Sequence, residues 1–83
     1  MAFAVNIYVS LKSTVGDPQG TTVSGALSQL GFDSVKDVRI GKYITLHIDE
    51  FSRKEAESVV SEMCEQLLAN TVIEEYRFEL QEL

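Results

Sequence analysis

Tryptophan is missing from this 83-residue sequence, and cysteine, histidine and proline occur once each. Each scarcity excludes something. The lone Cys64 forbids an intramolecular disulfide and fits a reducing cytoplasm. One histidine, His47, and one cysteine give no usable metal-ligand set. Basic residues number 7 against 13 acidic ones, for a net charge of −6. A nucleic-acid binder needs surplus Lys and Arg to displace counterions from phosphates, so nucleic acid is not an expected partner. Solubility alone accounts for the acidic excess. No apolar run nears the ~20 residues that span a bilayer, and the first residues have no basic n-region. Neither a membrane segment nor a signal peptide is expected, and the expected location is the cytoplasm.

What is present has the balance of an ordinary globular domain, with 45% hydrophobic and 24% charged residues. Residues 1–83 read as one domain, without repeats or linkers. A chain this short buries only about 60–65% of its unfolded surface. Oligomerisation or docking on a larger partner would supplement that margin.

Residues 3–11 alternate, with Phe3, Val5, Ile7, Val9 and Leu11 on one face, as in a half-buried strand. Asp17-Pro18 starts a helix: Asp accepts from an orphan N–H of the first turn, and Pro is tolerated at the first helical position. Asp17-Pro18-Gln19-Gly20 leads into the stripe Val23, Ala26, Leu27, Leu30, and Gly31 suits a left-handed C-terminal cap. Gly25 lies off that stripe and costs the helix roughly 0.5–1 kcal/mol against Ala.

Residues 35–40 and 43–49 read as two strands around Gly41-Lys42. A two-residue turn would put Ile40 and Ile44 on opposite faces. The expectation is therefore a three-residue loop or a bulge near Gly41. Ser52-Arg53-Lys54-Glu55 is a capping-box pattern. A stripe follows through Ala56, Val59, Val60, Met63, Cys64, Leu67 and Leu68, and Asn70 is placed to end the helix in the left-handed region. Tyr76, Phe78 and Leu80 alternate with charged residues in a last strand. The order β-α-β-β-α-β predicts an α+β two-layer sandwich. Two helices cover one face of a mostly antiparallel sheet, in a ferredoxin-like arrangement or a close variant.

Chemistry is hard to find. Cys64 sits on an apolar stripe, where cysteine is an inert small hydrophobe. His47 should face away from the helices, so the two cannot form a nucleophile–base pair. Gly41-Lys42 precedes a strand and not a helix, which rules out a phosphate loop. Asp17 would repel an anion at the helix start it caps. No catalytic, cofactor-binding or metal residue is assigned.

The joint spacing of several segments is specific. Val9-Ser10-Leu11-Lys12, Asp17-Pro18-Gln19-Gly20, Ala26-Leu27, Asp37-Val38-Arg39-Ile40-Gly41-Lys42, Met63-Cys64-Glu65 and Leu67-Leu68-Ala69-Asn70-Thr71-Val72-Ile73-Glu74, with Tyr76 after it, run nearly end to end. In these the chain resembles the PurS-type small subunits of phosphoribosylformylglycinamidine synthase. The resemblance implies a non-catalytic subunit of an ATP-dependent carbon–nitrogen ligase in de novo purine biosynthesis. The expected partners are a large synthetase subunit and a glutamine amidotransferase subunit, with self-association to a dimer or tetramer. ATP, Mg and glutamine would be used by those partners, with no cofactor in this chain. Arg39, Gly41 and Lys42 at the turn, and Tyr8, Tyr43 and His47 on the open sheet face, are the candidate interface residues. Asp17, Pro18, Gly20, Gly31, Ser52, Glu55 and Asn70 are read as turn or cap residues. A small-molecule regulatory module of the same topology is the alternative. An acylphosphatase-like enzyme would need an Arg in the first loop, which offers only Lys12, Ser13 and Thr14.

Overall fold

The alternating first segment forms strand β1, Ala2–Leu11, whose Phe3, Val5, Ile7 and Val9 are all buried. In this computed structural model, which describes residues 1–83, α1 (Pro18–Gln29), β2 (Gly41–Asp49), α2 (Arg53–Met63), a π turn (Cys64–Leu68) and β3 (Glu74–Glu82) follow. The sheet has the order β2-β1-β3, with both pairings antiparallel. Ile7 lies opposite Ile44 and Phe78, and Val5 opposite Leu46 and Leu80. The strand period of two thus carries apolar rows across one face. Ala56 and Val60 of α2 and Cys64 of the π turn cover that face and have no exposed surface.

The α+β class, the antiparallel sheet and the two helices are as expected. The fourth strand is not formed. Residues 35–40 pair with no strand, so there is no hairpin, and neither a loop nor a bulge is needed at Gly41. The backbone of this segment is satisfied elsewhere. The Ile40 N–H donates to Asp17 Oδ2 at 2.7 Å, and the Val38 carbonyl packs directly over Gly20. The strand order is the ferredoxin-like one less an edge strand.

Sequence and structure agree on how α1 begins and ends. Asp17 Oδ1 accepts from the Gly20 N–H at 2.9 Å, Pro18 is the first residue, and Gly31 takes φ +96°. The helix nevertheless sends no apolar side chain into the core: its one buried residue is Gly20. Only one of the two helices therefore covers the sheet. The chain is elongated, with a radius of gyration of 16.4 Å and a longest extent of 51 Å. A compact domain of this length has about 12 Å.

At α2, Ser52 Oγ accepts from the Glu55 N–H at 3.2 Å, as its capping role requires. The far end departs from expectation. Ala69 N–H donates to the Cys64 carbonyl at 3.0 Å, closing a π turn. The wider turn rotates Leu67 off the stripe, leaving it 82% exposed, and brings Ala69 into the core in its place. Asn70 does not enter the left-handed region, since no residue but glycine has positive φ. Its Oδ1 accepts from the Val72 N–H at 3.2 Å, and the chain leaves the helix through an Asx turn.

Candidate functional site

Three motifs far apart in the chain meet at one corner of the sheet. Asp17 supplies the first link, through its two backbone donors, Gly20 and Ile40. Both N–H groups favour the charged carboxylate, Gly20 most, and hold its pKa below the usual range. The nearby Arg39 guanidinium acts in the same direction and burial opposes it. Arg39 supplies the second link. Its Nη2 donates to the carbonyls of Lys12 at 3.0 Å and Val15 at 2.8 Å, clasping the loop between β1 and α1.

Lys42 supplies the third link. Its Nζ donates to the Leu68 carbonyl at 3.2 Å, an acceptor left free at the end of the π turn. It also stands 3.7 Å from Glu74 Oε2, while Glu74 Oε1 accepts from the Asn70 N–H at 2.7 Å. Lys12 N–H donates to the Ile73 carbonyl at 2.9 Å, which closes the ring of contacts. Gly20 and Gly41 are required by space here. A Cβ on Gly20 would collide with the Val38 carbonyl, and one on Gly41 would stand 2.5 Å from the Val9 carbonyl.

The sheet face opposite α2 carries the remaining candidates. Tyr8 and Tyr43 are cross-strand partners, with ring centroids 5.1 Å apart at a tilt of 35°. Arg77, opposite Tyr8 on the other flank, sets its guanidinium 3.9 Å above the Tyr8 ring. It also lies 3.6 Å from Glu79. Interaction with the Glu79 carboxylate raises the Tyr8 pKa, and burial adds to it. His47 is exposed on this same face, opposite Ala4. Tyr8, Tyr43 and His47 therefore share one surface, as their parity in the strands requires. Arg77 was not singled out by the sequence. Its alternation with Tyr76 and Phe78 placed it on the outer face, but only the register brings it to Tyr8.

This arrangement is suited to holding a shape. Asp17, Arg39 and Lys42 all bind the chain's own backbone. Cys64 is fully buried, and desolvation pushes its thiol up, away from the thiolate a nucleophile needs. His47 lies on the opposite side of the sheet from it.

Known proteins are similar to this chain in both shape and sequence. The family described as PurS, phosphoribosylformylglycinamidine (FGAM) synthase, matches residues 4–82. The chain is 52% identical over 81 residues to the phosphoribosylformylglycinamidine synthase subunit PurS of Bacillus subtilis, covering 98% of this chain and 95% of that one. It is 49% identical over 79 residues to the Synechocystis subunit of the same name, covering 95% and 79%. The crystal structure of B. subtilis PurS superposes with a TM-score of 0.87 over 96% of this chain and 99% of that one. A chain of the PurLQS structure from Thermotoga maritima, 34% identical, superposes with a TM-score of 0.89 over 98% and 99%. With its fold and nearly its whole length matched, this chain belongs to the PurS family of phosphoribosylformylglycinamidine synthase subunits.

Proposed function

We propose that this chain is a non-catalytic subunit that holds the synthetase and glutamine amidotransferase subunits of phosphoribosylformylglycinamidine synthase together and supports ammonia transfer between them. The complex converts formylglycinamide ribonucleotide, ATP and glutamine to formylglycinamidine ribonucleotide, ADP, phosphate and glutamate. The observation that carries this reading is the corner. Asp17, Arg39 and Lys42, all within the segments that carry the resemblance, bind the chain's own backbone, which supports a shaping role and not a chemical one. The PurLQS structure, in which a PurS chain is part of an assembly, supports the partners. Self-association belongs to the same reading, and the working location is the cytoplasm. ATP, Mg and glutamine are handled by the partner subunits.

The test is co-purification of the full chain with the two larger subunits, with and without glutamine and ADP. Activity is then measured with glutamine and with free ammonia. The expected result is a ternary complex in which omitting this chain abolishes glutamine-dependent turnover but spares ammonia-dependent turnover. Glutaminase or ATPase activity of the chain alone would overturn the reading.

A further inference from the structure

The end of the second helix exposes a leucine that its own stripe would bury. Leu67 follows Val60 and Cys64 at helical spacing, yet it is 82% exposed, and the smaller Ala69 enters the core in its place. Trading a leucine side chain for an alanine reduces the apolar area removed from water. The trade is fixed by bonds and is not a frayed end. The Ala69 N–H closes the π turn on the Cys64 carbonyl, Lys42 Nζ holds the Leu68 carbonyl, and Glu74 Oε1 accepts from the Asn70 N–H. Single π turns inside helices occur frequently at functional sites.

Val72, beyond the Asx turn at Asn70, is 80% exposed, and Ile73 after it is 38% exposed. Large apolar side chains gathered this openly inside a polar rim mark an interaction surface. The rim here is cationic, although the chain has a net charge of −6. Each cation is tied to the patch by a bond. Lys42 holds Leu68, the Lys12 N–H donates to the Ile73 carbonyl, and Arg39 donates to the Lys12 carbonyl. Lys12 and Arg39 form no ion pair within the chain. The carboxylates bonded into this corner, Asp17 and Glu74, are turned onto the backbone N–H groups of Gly20, Ile40 and Asn70.

These charges select the occupant. A second copy meeting the patch in a two-fold contact would present the same patch to it. Lys12, Arg39 and Lys42 would then face their own counterparts. A different protein, with carboxylates around an apolar pocket, satisfies the leucine and the cations together.

We infer that Leu67 and Val72 are the anchor by which this chain docks on a larger subunit of the synthase, in an apolar pocket rimmed by carboxylates. This docking rests on the subunit reading and adds the surface that performs it. The corner's shaping role then has an object, because Lys42 and Glu74 fix the turn that turns Leu67 outward.

Binding of the full chain to each purified larger subunit, and to the two together, is measured by surface plasmon resonance. Leu67→Asp and Val72→Asp should each weaken docking by about 10-fold or more, because each sets a carboxylate in an apolar pocket. Melting temperature and sedimentation of the free chain should not change, since both side chains stand in solvent. Lys12→Gln should slow association and flatten its salt dependence. Undiminished docking of both aspartate variants would overturn the anchor and leave the subunit reading standing. So would a loss of self-association in its place, which would assign the patch to a second copy. Docking by the intact chain that is indifferent to salt would overturn the carboxylate rim. An intact chain that binds neither larger subunit would overturn the subunit reading itself.

Discussion

Asp17 Oδ2 accepts the Ile40 N–H at 2.7 Å, joining the start of α1 to the residue before β2 across 23 positions of sequence. With Oδ1 on the Gly20 N–H, one carboxylate caps a helix and anchors the segment that never becomes a strand.

The Asp17 pKa is lowered in the fold, so the sign of its pH effect follows. Its stabilisation is present above the unfolded value of about 3.9 and is lost as pH falls through the folded value. Thermal melts from pH 7 to pH 2 should show a falling midpoint below about pH 4. Asp17→Asn, which retains only one acceptor oxygen, should melt lower at pH 7 and flatten that acid limb. An unchanged acid limb in the variant would remove Asp17 from the account.

Two glycines of α1 should respond in opposite directions to alanine. At Gly20 the new Cβ meets the Val38 carbonyl, a backbone atom that can move only with its segment. Gly20→Ala should destabilise by about 1–3 kcal/mol. At Gly25 nothing lies within 4 Å. Gly25→Ala should stabilise by about 0.5–1 kcal/mol through helix propensity and chain entropy. Urea midpoints of the two variants decide it.

Arg39 is exposed, and its two carbonyl bonds should be worth little globally, about 1 kcal/mol or less. Their effect should be local. Arg39→Ala should speed amide exchange in residues 12–16 while leaving the β1 core amides protected. Uniform acceleration across β1 would show that the clasp is global.

Cys64 should be silent toward thiol reagents in the native chain and label fully in denaturant, because it is buried with a raised thiol pKa. Cys64→Ala should leave the glutamine-dependent activity of the assembled complex unchanged. Rapid native labelling would contradict the packing.

The parts of the fold that were readable from sequence are those governed by neighbours along the chain. The period-two faces of β1 and β3, the caps at Asp17 and Ser52, and the positive φ of Gly31 depend on residues within a turn of one another. The outer-face grouping of Tyr8, Tyr43 and His47 followed from parity. Residues 35–40 misled because alternation describes what a segment would bury, not whether an edge is there to receive it. Leu67 and Ala69 exchanged places because a π turn leaves no mark in a 3.6-residue stripe.

The amino-acid sequence alone therefore determined the class, the element faces, the inert setting of Cys64 and the family to which the motifs point. Those properties reside in local periodicity and in residue type. Only the tertiary structure decided that the three motifs form a single corner, and that α1 stands clear of the sheet. Both depend on which backbone groups far apart in sequence find each other. The Ile40 N–H had two possible acceptors, a neighbouring strand or the Asp17 carboxylate. The charged acceptor, already held in place at the helix start, makes the stronger bond.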